Sequence, residues 1–301
     1  LTPILDEPFP MPVQSPQKER PQVVKLVAVD IDGTLLTSAH VISPETRATI
    51  REVLDRGVRV VLVTGRSFPQ ARPYAEELGV TTPLILHNGA LIKDITGRVF
   101  RAHRLRSEMA RAIILRARAF RMNLICFDDL DGEDRAVVEL IASENDRFLR
   151  YLSRWREPAR PVPDLLRYAD HAVIALTTVA PLAKARGFAE AIEGALRGRV
   201  RVFRTEYPQR DVALLDFVSP ECSKAKALDH LARQWGIAPA EIMVVGDNWN
   251  DLEMLAYAGL GVVMGNADDG MKALGYPVTG TNDEDGLAQA LRRFVLRKEA
   301  G

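Results

Sequence analysis

Residues 23–35, VVKLVAVDIDGTL, combine an apolar run with two closely spaced carboxylates. The first seven residues are apolar except for Lys25, a pattern typical of a parallel strand that is covered on both faces. Asp30 and Asp32 follow where this strand ends, and Gly33 allows the backbone to turn sharply behind them. The stretch therefore predicts a buried strand with acidic side chains at its carboxyl end, where ligands collect in parallel sheets.

Strands and helices alternate on both sides of a long interruption. Residues 58–63 and 84–86 have the composition of two further buried strands, each preceded by a helical pattern. After the interruption, residues 223–235 predict a helix and residues 242–245 another buried strand. Strand–helix repeats with short links predict an α/β fold with a Rossmann-like, doubly wound parallel sheet.

The interruption itself has a different pattern, which predicts an inserted α+β cap domain. Its strands are closer together, and residues 200–206 and 212–218 resemble the two arms of a hairpin. The chain then divides into a flexible proline-rich leader at residues 1–22, a core at 23–90 and 220–301, and the cap at 91–219.

Composition excludes several classes of protein. The formal net charge is zero, so no overall field favours binding to nucleic acid or to an anionic membrane. No apolar stretch approaches the ~18 residues that a membrane span needs. The two cysteines, Cys126 and Cys222, have no metal-type spacing and form no disulfide framework, which indicates a reducing, cytoplasmic location. The sequence makes no prediction of oligomeric state.

Asp30 and Asp32 have the arrangement that hydrolysis of a phosphate ester requires. A carboxylate at the tip of a buried strand can attack phosphorus and form an aspartyl phosphate, which is the role we predict for Asp30. Asp32 can protonate the leaving oxygen and then deprotonate the attacking water. Clustered carboxylates need a cation that prefers oxygen ligands, which implies Mg²⁺. Asp247, at the end of another strand, would complete this metal site, and Asp251 is a further candidate.

Other segments supply donors for the phosphate oxygens. Thr64 and Gly65 begin a helix after a strand, so the hydroxyl and the following amides can donate to an anion. Lys224 offers a positive charge, with Lys226 as its rival. On one helix these side chains point about 200° apart, and Lys224 lies one turn before Leu228 on the packed side, so we predict that Lys224 faces the phosphate. The amides of Asn88 and Asn250 are additional donors. Taken singly, each segment is explained by a turn or a helix start. Their joint occurrence at predicted strand ends favours a shared site.

The motifs also resemble a known family. The matching segments are Asp30-x-Asp32-Gly33-Thr34-Leu35, Thr64-Gly65-Arg66, Lys224, and Gly246-Asp247-x-x-Asn250-Asp251. They are similar to the four motifs of the haloacid dehalogenase superfamily, in its Cof-type branch with a C2-type cap (subclass IIB), and the likeness extends over residues 24–296. One departure is Ala225, which stands where the branch usually has glycine. The resemblance implies that Asp32 gives a backbone oxygen to Mg²⁺ and that Ile31 and Gly65 give backbone amides to phosphate.

This resemblance favours a phosphatase of a small phosphorylated metabolite, with sugar phosphates ahead of pyridoxal phosphate or a nucleotide. A phosphomutase shares the motifs but would need a basic cluster on the cap, whereas Arg118, Arg121 and Arg135 are scattered in the sequence. A regulatory protein on the same fold usually lacks a catalytic residue, and none is missing here. The charged residues 128–135 are a candidate for the cap segment that determines specificity.

Overall fold

The computed structural model describes residues 23–130, 132–140, 146–153, 155 and 158–297. The predicted leader, residues 1–22, lies outside the described residues. Among those that are described, no helix is both long and apolar enough to cross a membrane.

The first part of the chain builds most of a seven-stranded sheet. Its elements are β1 (Leu26–Asp30), α1 (Pro44–Asp55), β2 (Arg59–Val63), α2 (Phe68–Leu78), β3 (Leu84–Leu86), β4 (Leu91–Lys93) and β5 (Val99–Ala102). β1 is buried along its whole length, as its apolar sequence predicts. α1 begins where expected, because the Ser43 side chain accepts a hydrogen bond from the Thr46 amide and Pro44 occupies the first turn.

The strands β4 and β5 belong to the core sheet, so the first core segment extends beyond residue 90. The sequence assigns them to the cap, but both join the core sheet through antiparallel pairing, β4 with β3 and β5 with β4. Short strands linked by a turn have the same sequence pattern in either domain, so spacing alone does not separate them. We propose that the cap begins after Ala102 and not at residue 91.

The inserted cap contains a separate six-stranded sheet. Its elements are α3 (Ser107–Ala119), β6 (Leu124–Leu130), β7 (Glu133–Glu139), α4 (Asp146–Leu152), β8 (Arg160–Pro161), α5 (Leu165–Tyr168), β9 (Ala175–Ala180), α6 (Leu182–Ala195), β10 (Arg201–Tyr207) and β11 (Val212–Val218). The strand order is β10-β11-β9-β6-β7-β8, and β10 with β11 forms the predicted antiparallel hairpin. The helices α3, α5 and α6 cover one apolar face of this sheet. The α+β character of the insertion is therefore confirmed, whereas α4 and α5 were not predicted.

The chain then returns to the core and completes its sheet. The remaining elements are α7 (Lys224–Gln234), β12 (Ile242–Gly246), α8 (Leu252–Tyr257), β13 (Leu260–Val263), α9 (Asp269–Lys272) and α10 (Gly286–Phe294). The order β13-β12-β1-β2-β3-β4-β5 puts β1 between β12 and β2, and all three run parallel. This confirms the predicted α/β core, and it brings the carboxyl ends of these three strands to one edge.

A buried ion cluster connects the core to the cap. Lys93, on β4, is fully buried and its Nζ donates to Asp129 Oδ1 at 2.7 Å and to Asp134 Oδ2 at 2.5 Å. Both aspartates belong to the β6–β7 hairpin of the cap. A buried cation that is paired with two carboxylates is costly to break, because either partner alone would be an uncompensated charge. The cluster therefore fixes this hairpin against the edge of the core.

Candidate active site

Three neighbouring strands each deliver one polar residue to the same edge of the core sheet. Asp30 ends β1, Thr64 follows β2, and Asp247 follows β12. Asp30 and Thr64 are buried, with 5% and 1% of their surface exposed. The local cause is the register of the parallel strands, in which Asp30 pairs with Val63 and Val29 with Val245. The sheet thus brings together residues that lie up to 217 positions apart in the sequence.

Lys224 lies at the start of α7 and contacts two of the carboxylates. Its Nζ donates to Asp30 Oδ1 at 2.7 Å and to Asp251 Oδ1 at 2.6 Å. The helix is held at this point by Ser223, whose side chain accepts hydrogen bonds from two amides of the first turn. Lys226, the rival candidate, is exposed. The predicted orientation of the two lysines is therefore the one observed.

Asp251 has a structural function that the sequence did not indicate. Besides the contact with Lys224, its Oδ2 accepts hydrogen bonds at 3.1 Å from the amides of Asp247 and Asn248. Both of its oxygens are thus occupied by protein donors. Asp251 holds the turn that carries Asp247, and it is less available as a metal ligand than Asp30 or Asp247.

The carboxylate cluster is electrostatically unfavourable without a further cation. Ligand oxygens of Asp30, Asp247 and Asp251 lie within 4.8 Å of one another. Burial, followed by the charge of Asp251, raises the pKa of Asp30 to about 8, although Lys224 opposes this. Burial and the charge of Asp30 likewise raise the pKa of Asp247 well above its ordinary value. One lysine does not balance three carboxylates.

The carboxylate oxygens of this cluster are ligands of the kind that Mg²⁺ prefers. Thr34 donates to Asp247 Oδ1 at 3.1 Å, and Lys224 donates to Oδ1 of Asp30. Within the described part of the chain, Oδ2 of both Asp30 and Asp247 accepts no hydrogen bond and each Oδ1 accepts only one, so both carboxylates keep lone pairs for a hard cation. Gly33, at φ +84°, gives them room, because a Cβ there would lie 2.2 Å from Asp247 Oδ2.

Asp32 lies outside this cluster and pairs with the guanidinium of Arg66. Arg66 donates to it through Nε at 2.7 Å and through Nη2 at 2.5 Å. Tyr74 supports the guanidinium, with its ring 5.2 Å away and its hydroxyl 3.2 Å from Nη1. Burial opposes the charge of Arg66, but the Asp32 carboxylate outweighs this and raises the pKa of Arg66. The sequence predicted neither this pair nor any function for Arg66.

The predicted phosphate donors follow β2, β3 and β12 at the edge of the sheet where Asp30 lies. The Thr64 hydroxyl accepts a hydrogen bond from the Arg66 amide at 3.1 Å, so its own hydrogen stays available. Asn250 Nδ2 donates to Asn88 Oδ1 at 3.1 Å, which links two of the predicted amides. Asn88 adopts φ +56°, a left-handed conformation that asparagine tolerates better than most residues. The two asparagine side chains are therefore joined, and the backbone amide of Asn88 donates to the Thr64 carbonyl at 3.0 Å. The backbone amides of Ile31 and Gly65 follow Asp30 and Thr64 directly in the chain.

The site extends into the cap through a residue that sequence reasoning missed. Asn88 Nδ2 donates to Asp216 Oδ2 at 3.0 Å, and Thr177 donates to Asp216 Oδ1 at 2.6 Å. Burial raises the pKa of Asp216 to about 6, although these two donors lower it. The signal in the sequence was a single charge inside the apolar strand Val212–Val218.

The charged residues 128–135 are used in other contacts. Asp129 and Asp134 bind Lys93, Asp128 accepts a hydrogen bond from His171, and Arg135 pairs with Glu133. Asp131 lies outside the described residues. These ion pairs give the segment a structural role at the joint between core and cap.

Comparison with known proteins identifies the family. The model of the haloacid dehalogenase-like hydrolases matches residues 27–291. The chain belongs to this family. It is 30% identical to phosphatase YwpJ of Bacillus subtilis over 90% of this chain and 100% of that protein. It is 29% identical to the 5-amino-6-(5-phospho-D-ribitylamino)uracil phosphatase YcsE of the same species, over 91% and 96%. A haloacid dehalogenase-like hydrolase from Bacteroides thetaiotaomicron has a similar structure, with a TM-score of 0.77, 29% identity, and coverage of 90% and 99%.

These findings confirm the predicted family and class of enzyme. This haloacid dehalogenase-like hydrolase has an α+β cap inserted between its second and third motifs. It is a phosphatase, a phosphoric monoester hydrolase, of small phosphorylated metabolites. All four motifs meet at the edge formed by β1, β2 and β12.

Proposed function

We propose that the protein is a cytoplasmic, Mg²⁺-dependent phosphatase that acts through an aspartyl-phosphate intermediate. The observation that carries this proposal is the position of Asp30, which ends β1 with one oxygen bound to Lys224 and the other open. An anchored carboxylate with a free oxygen is suited to attack phosphorus. Two free buried cysteines, Cys126 and Cys222, support a reducing compartment.

The proposed reaction consists of two displacements at phosphorus. Asp30 Oδ2 attacks phosphorus while the bond from phosphorus to the ester oxygen breaks, and Asp32 gives its proton to that oxygen. Asp32 then takes a proton from water, which attacks phosphorus and releases inorganic phosphate and the Asp30 carboxylate. Lys224 and the Thr64 hydroxyl neutralise and orient the phosphoryl oxygens in both steps.

Asp30 through Oδ1, Asp247 and the backbone oxygen of Asp32 are the groups that would hold Mg²⁺, which leaves Oδ2 of Asp30 for attack on phosphorus. When bound, the ion supplies positive charge that allows the anionic nucleophile and the anionic substrate to approach. Asp251 would act indirectly, since its oxygens hold Lys224 and the turn with Asp247. Asp251 is therefore assigned as a supporting residue and not as a third carboxylate ligand of the ion.

Two other functions share these motifs. A phosphomutase must rebind a phosphorylated product, and a basic cap would favour it, but Arg118 pairs with Glu139 and Asp164 while Arg135 pairs with Glu133. A regulatory protein would lack turnover. The sequence resemblance favours a sugar phosphate as the substrate, whereas a relative acts on a phosphorylated uracil derivative.

Turnover of 4-nitrophenyl phosphate, with and without Mg²⁺, tests the proposal directly. We expect phosphate release that requires Mg²⁺ and is abolished by a chelator and restored by Mg²⁺ alone. The absence of release under all metal conditions would favour the regulatory function. Conversion of one hexose phosphate isomer to another would identify a mutase. A panel of phosphorylated metabolites would then rank the substrates.

A further inference from the structure

The two faces of the cap sheet differ in what covers them. Residues directly opposite each other on neighbouring strands point to the same face, so the register assigns each side chain to a face. Cys126, Leu176 and Phe217 form a row on the face that α3 and α6 cover. The adjacent row lies on the other face, toward the core, and consists of Ile125, Thr177, Asp216 and Phe203.

This second face borders an open cleft. On β11, Ala213, Leu215 and Phe217 are buried, whereas the alternate residues Val212, Leu214 and Asp216 remain partly exposed. Partial exposure of inward-facing residues means that the core does not pack tightly against them. The cleft therefore lies between the cap and the carboxyl ends of the core strands.

Other charged residues on this face are paired: Asp129 and Asp134 bind Lys93, and Arg201 binds Glu253. Among the described residues of the face, Asp216 is charged and forms no salt bridge, and it lies next to the phosphate site. Its two oxygens each accept one hydrogen bond, from Thr177 and from Asn88. A carboxylate oxygen can accept a second one, so Asp216 retains capacity toward the cleft. Its neighbours on the same face, Val212, Leu214 and Phe203, are apolar.

An aromatic group forms the adjacent wall. Trp155 stacks on Phe127, with ring centroids 5.6 Å apart and planes 29° apart, and Tyr151 meets the edge of Trp155 at 5.6 Å. His87, next to Asn88 in the core, contacts Phe127 at 4.7 Å. The wall thus runs from the phosphate site to α4.

Two tyrosine hydroxyls at this wall are available to a ligand. Within the described ranges, the hydroxyls of Tyr151 and Tyr207 have no hydrogen-bond partner and are not fully buried. Burial and the charges of Asp216 and Asp32 raise the pKa of Tyr151, and burial with Asp32 and Asp247 raises that of Tyr207. Both phenols therefore lie near the carboxylates of the site.

We propose that Asp216 and the aromatic wall of Tyr151 and Trp155 bind the leaving group of the substrate, and that this group is a planar heterocycle with an N–H or hydroxyl donor. A ring of this kind gains contact with aromatic faces and needs few polar partners. A hexose presents hydroxyls along its whole edge, each of which requires a partner when it is buried. One carboxylate without an ionic partner and two phenols, beside the apolar side chains of Val212, Leu214 and Phe203, suit the heterocycle better.

The proposal rests on the proposed phosphatase function, and three esters test it. These are pyridoxine 5′-phosphate, glucose 6-phosphate and 4-nitrophenyl phosphate, which represent a heterocycle with donors, a sugar, and a ring without a donor. We expect kcat/KM for the first to exceed that for glucose 6-phosphate by at least about tenfold. A preference for glucose 6-phosphate would overturn the assigned substrate class.

The role of Asp216 is tested with Asp216→Asn. The ratio of kcat/KM for pyridoxine 5′-phosphate to that for 4-nitrophenyl phosphate should fall by about tenfold or more, mainly through KM, because a charge-assisted hydrogen bond is lost. Tyr151→Phe should lower the same ratio by a smaller factor. The exposed cap residue Asp170, changed to Asn, should leave the ratio unchanged. If Asp216→Asn melts as a folded protein and this ratio of kcat/KM values is unchanged, Asp216 does not bind the leaving group.

Binding separates a failure of this inference from a failure of the enzyme assignment. If 4-nitrophenyl phosphate is hydrolysed but pyridoxine 5′-phosphate has no advantage, only the inference is wrong. If no ester is hydrolysed, calorimetric titration with pyridoxine 5′-phosphate decides. Binding that is tighter than that of glucose 6-phosphate, and weakened in Asp216→Asn, would still support the inference, whereas equal or absent binding would overturn it.

Discussion

Arg66 binds both carboxylate oxygens of Asp32, whereas the carboxylate two residues earlier, Asp30, is bound by Lys224. The two acids of one short motif therefore have separate cationic partners. A bidentate guanidinium contact fixes the direction of the Asp32 side chain, and a single ammonium contact leaves one oxygen of Asp30 open. The open oxygen suits Asp30 for attack on phosphorus, whereas Asp32 must release one of its contacts with Arg66 before it carries a proton to the leaving oxygen.

Substitution of Asp32 by Asn should affect esters according to their leaving groups. An alkoxide needs a proton as it departs, whereas 4-nitrophenolate does not, so the loss should be larger for an alkyl phosphate. General acid catalysis contributes about 10²- to 10⁴-fold, which bounds the difference in kcat. The measurement is kcat for the two classes of ester in both proteins. Equal losses for both would argue that Asp32 does not protonate the leaving group.

Asp30→Asn should abolish turnover and leave the fold intact. The amide is close in size to the carboxylate but does not attack phosphorus, and loss of a nucleophile costs several orders of magnitude. Phosphate release by the purified variant at saturating Mg²⁺ provides the measurement, and its melting temperature controls for folding. Activity near that of the wild type would rule out the covalent mechanism.

The core part of the site could be predicted because it depends on local sequence. Asp30, Thr64 and Asp247 each follow an apolar run, and parallel strands bring their carboxyl ends together whatever the helices between them contain. Lys224 was preferred to Lys226 from helical periodicity, because residues two apart in a helix point in nearly opposite directions. The buried position of Lys224 and the exposure of Lys226 agree with this preference.

The cap part of the site depends on contacts that sequence patterns do not encode. Asp216 meets Asn88 across 128 positions, and the meeting depends on how the cap lies on the core. The pair of Asp32 and Arg66 depends on the reach of a long side chain. The extension of the core sheet by β4 and β5 depends on strand pairing, for which two short apolar runs give no preference.

Asp247→Ala should weaken binding of Mg²⁺ more than it weakens the maximal rate. The change removes one of the two carboxylates that keep lone pairs for the ion, and Thr34 loses its hydrogen-bond partner. The Mg²⁺ concentration that gives half-maximal activity should rise, and activity should partly return at high Mg²⁺. Thr46→Ala, a buried threonine on α1, serves as a control for small losses of stability. An unchanged Mg²⁺ titration would show that the metal lies elsewhere.

Asp216→Asn should change how stability depends on pH. The pKa of Asp216 in the folded protein is about 6, above the value of 3.8 for the free group. Between these two values the folded protein binds a proton that the unfolded chain does not, so stability falls as the pH rises through this window, by up to about 3 kcal/mol. The variant lacks this titration. The difference between its melting temperature and that of the wild type should therefore shift in favour of the variant from pH 4 to pH 6.5 and stay constant at higher pH. A constant difference across the range would contradict the raised pKa of this carboxylate.

Lys224 and Lys226 provide a matched comparison on one helix. Lys224 is buried between Asp30 and Asp251, whereas Lys226 is exposed. Lys224→Ala should lower kcat/KM by at least about a hundredfold, because the phosphoryl charge loses a positioned cation. It should also lower stability by about 3–5 kcal/mol, since two buried carboxylates remain without their partner. Assays at saturating Mg²⁺ and well below both melting temperatures separate the kinetic loss from unfolding. Lys226→Ala should change kcat/KM by no more than about twofold and stability by less than about 1 kcal/mol, as is usual for an exposed charge. Equal losses in the two variants, or a larger loss for Lys226→Ala, would mean that the phosphate-binding lysine has been assigned wrongly.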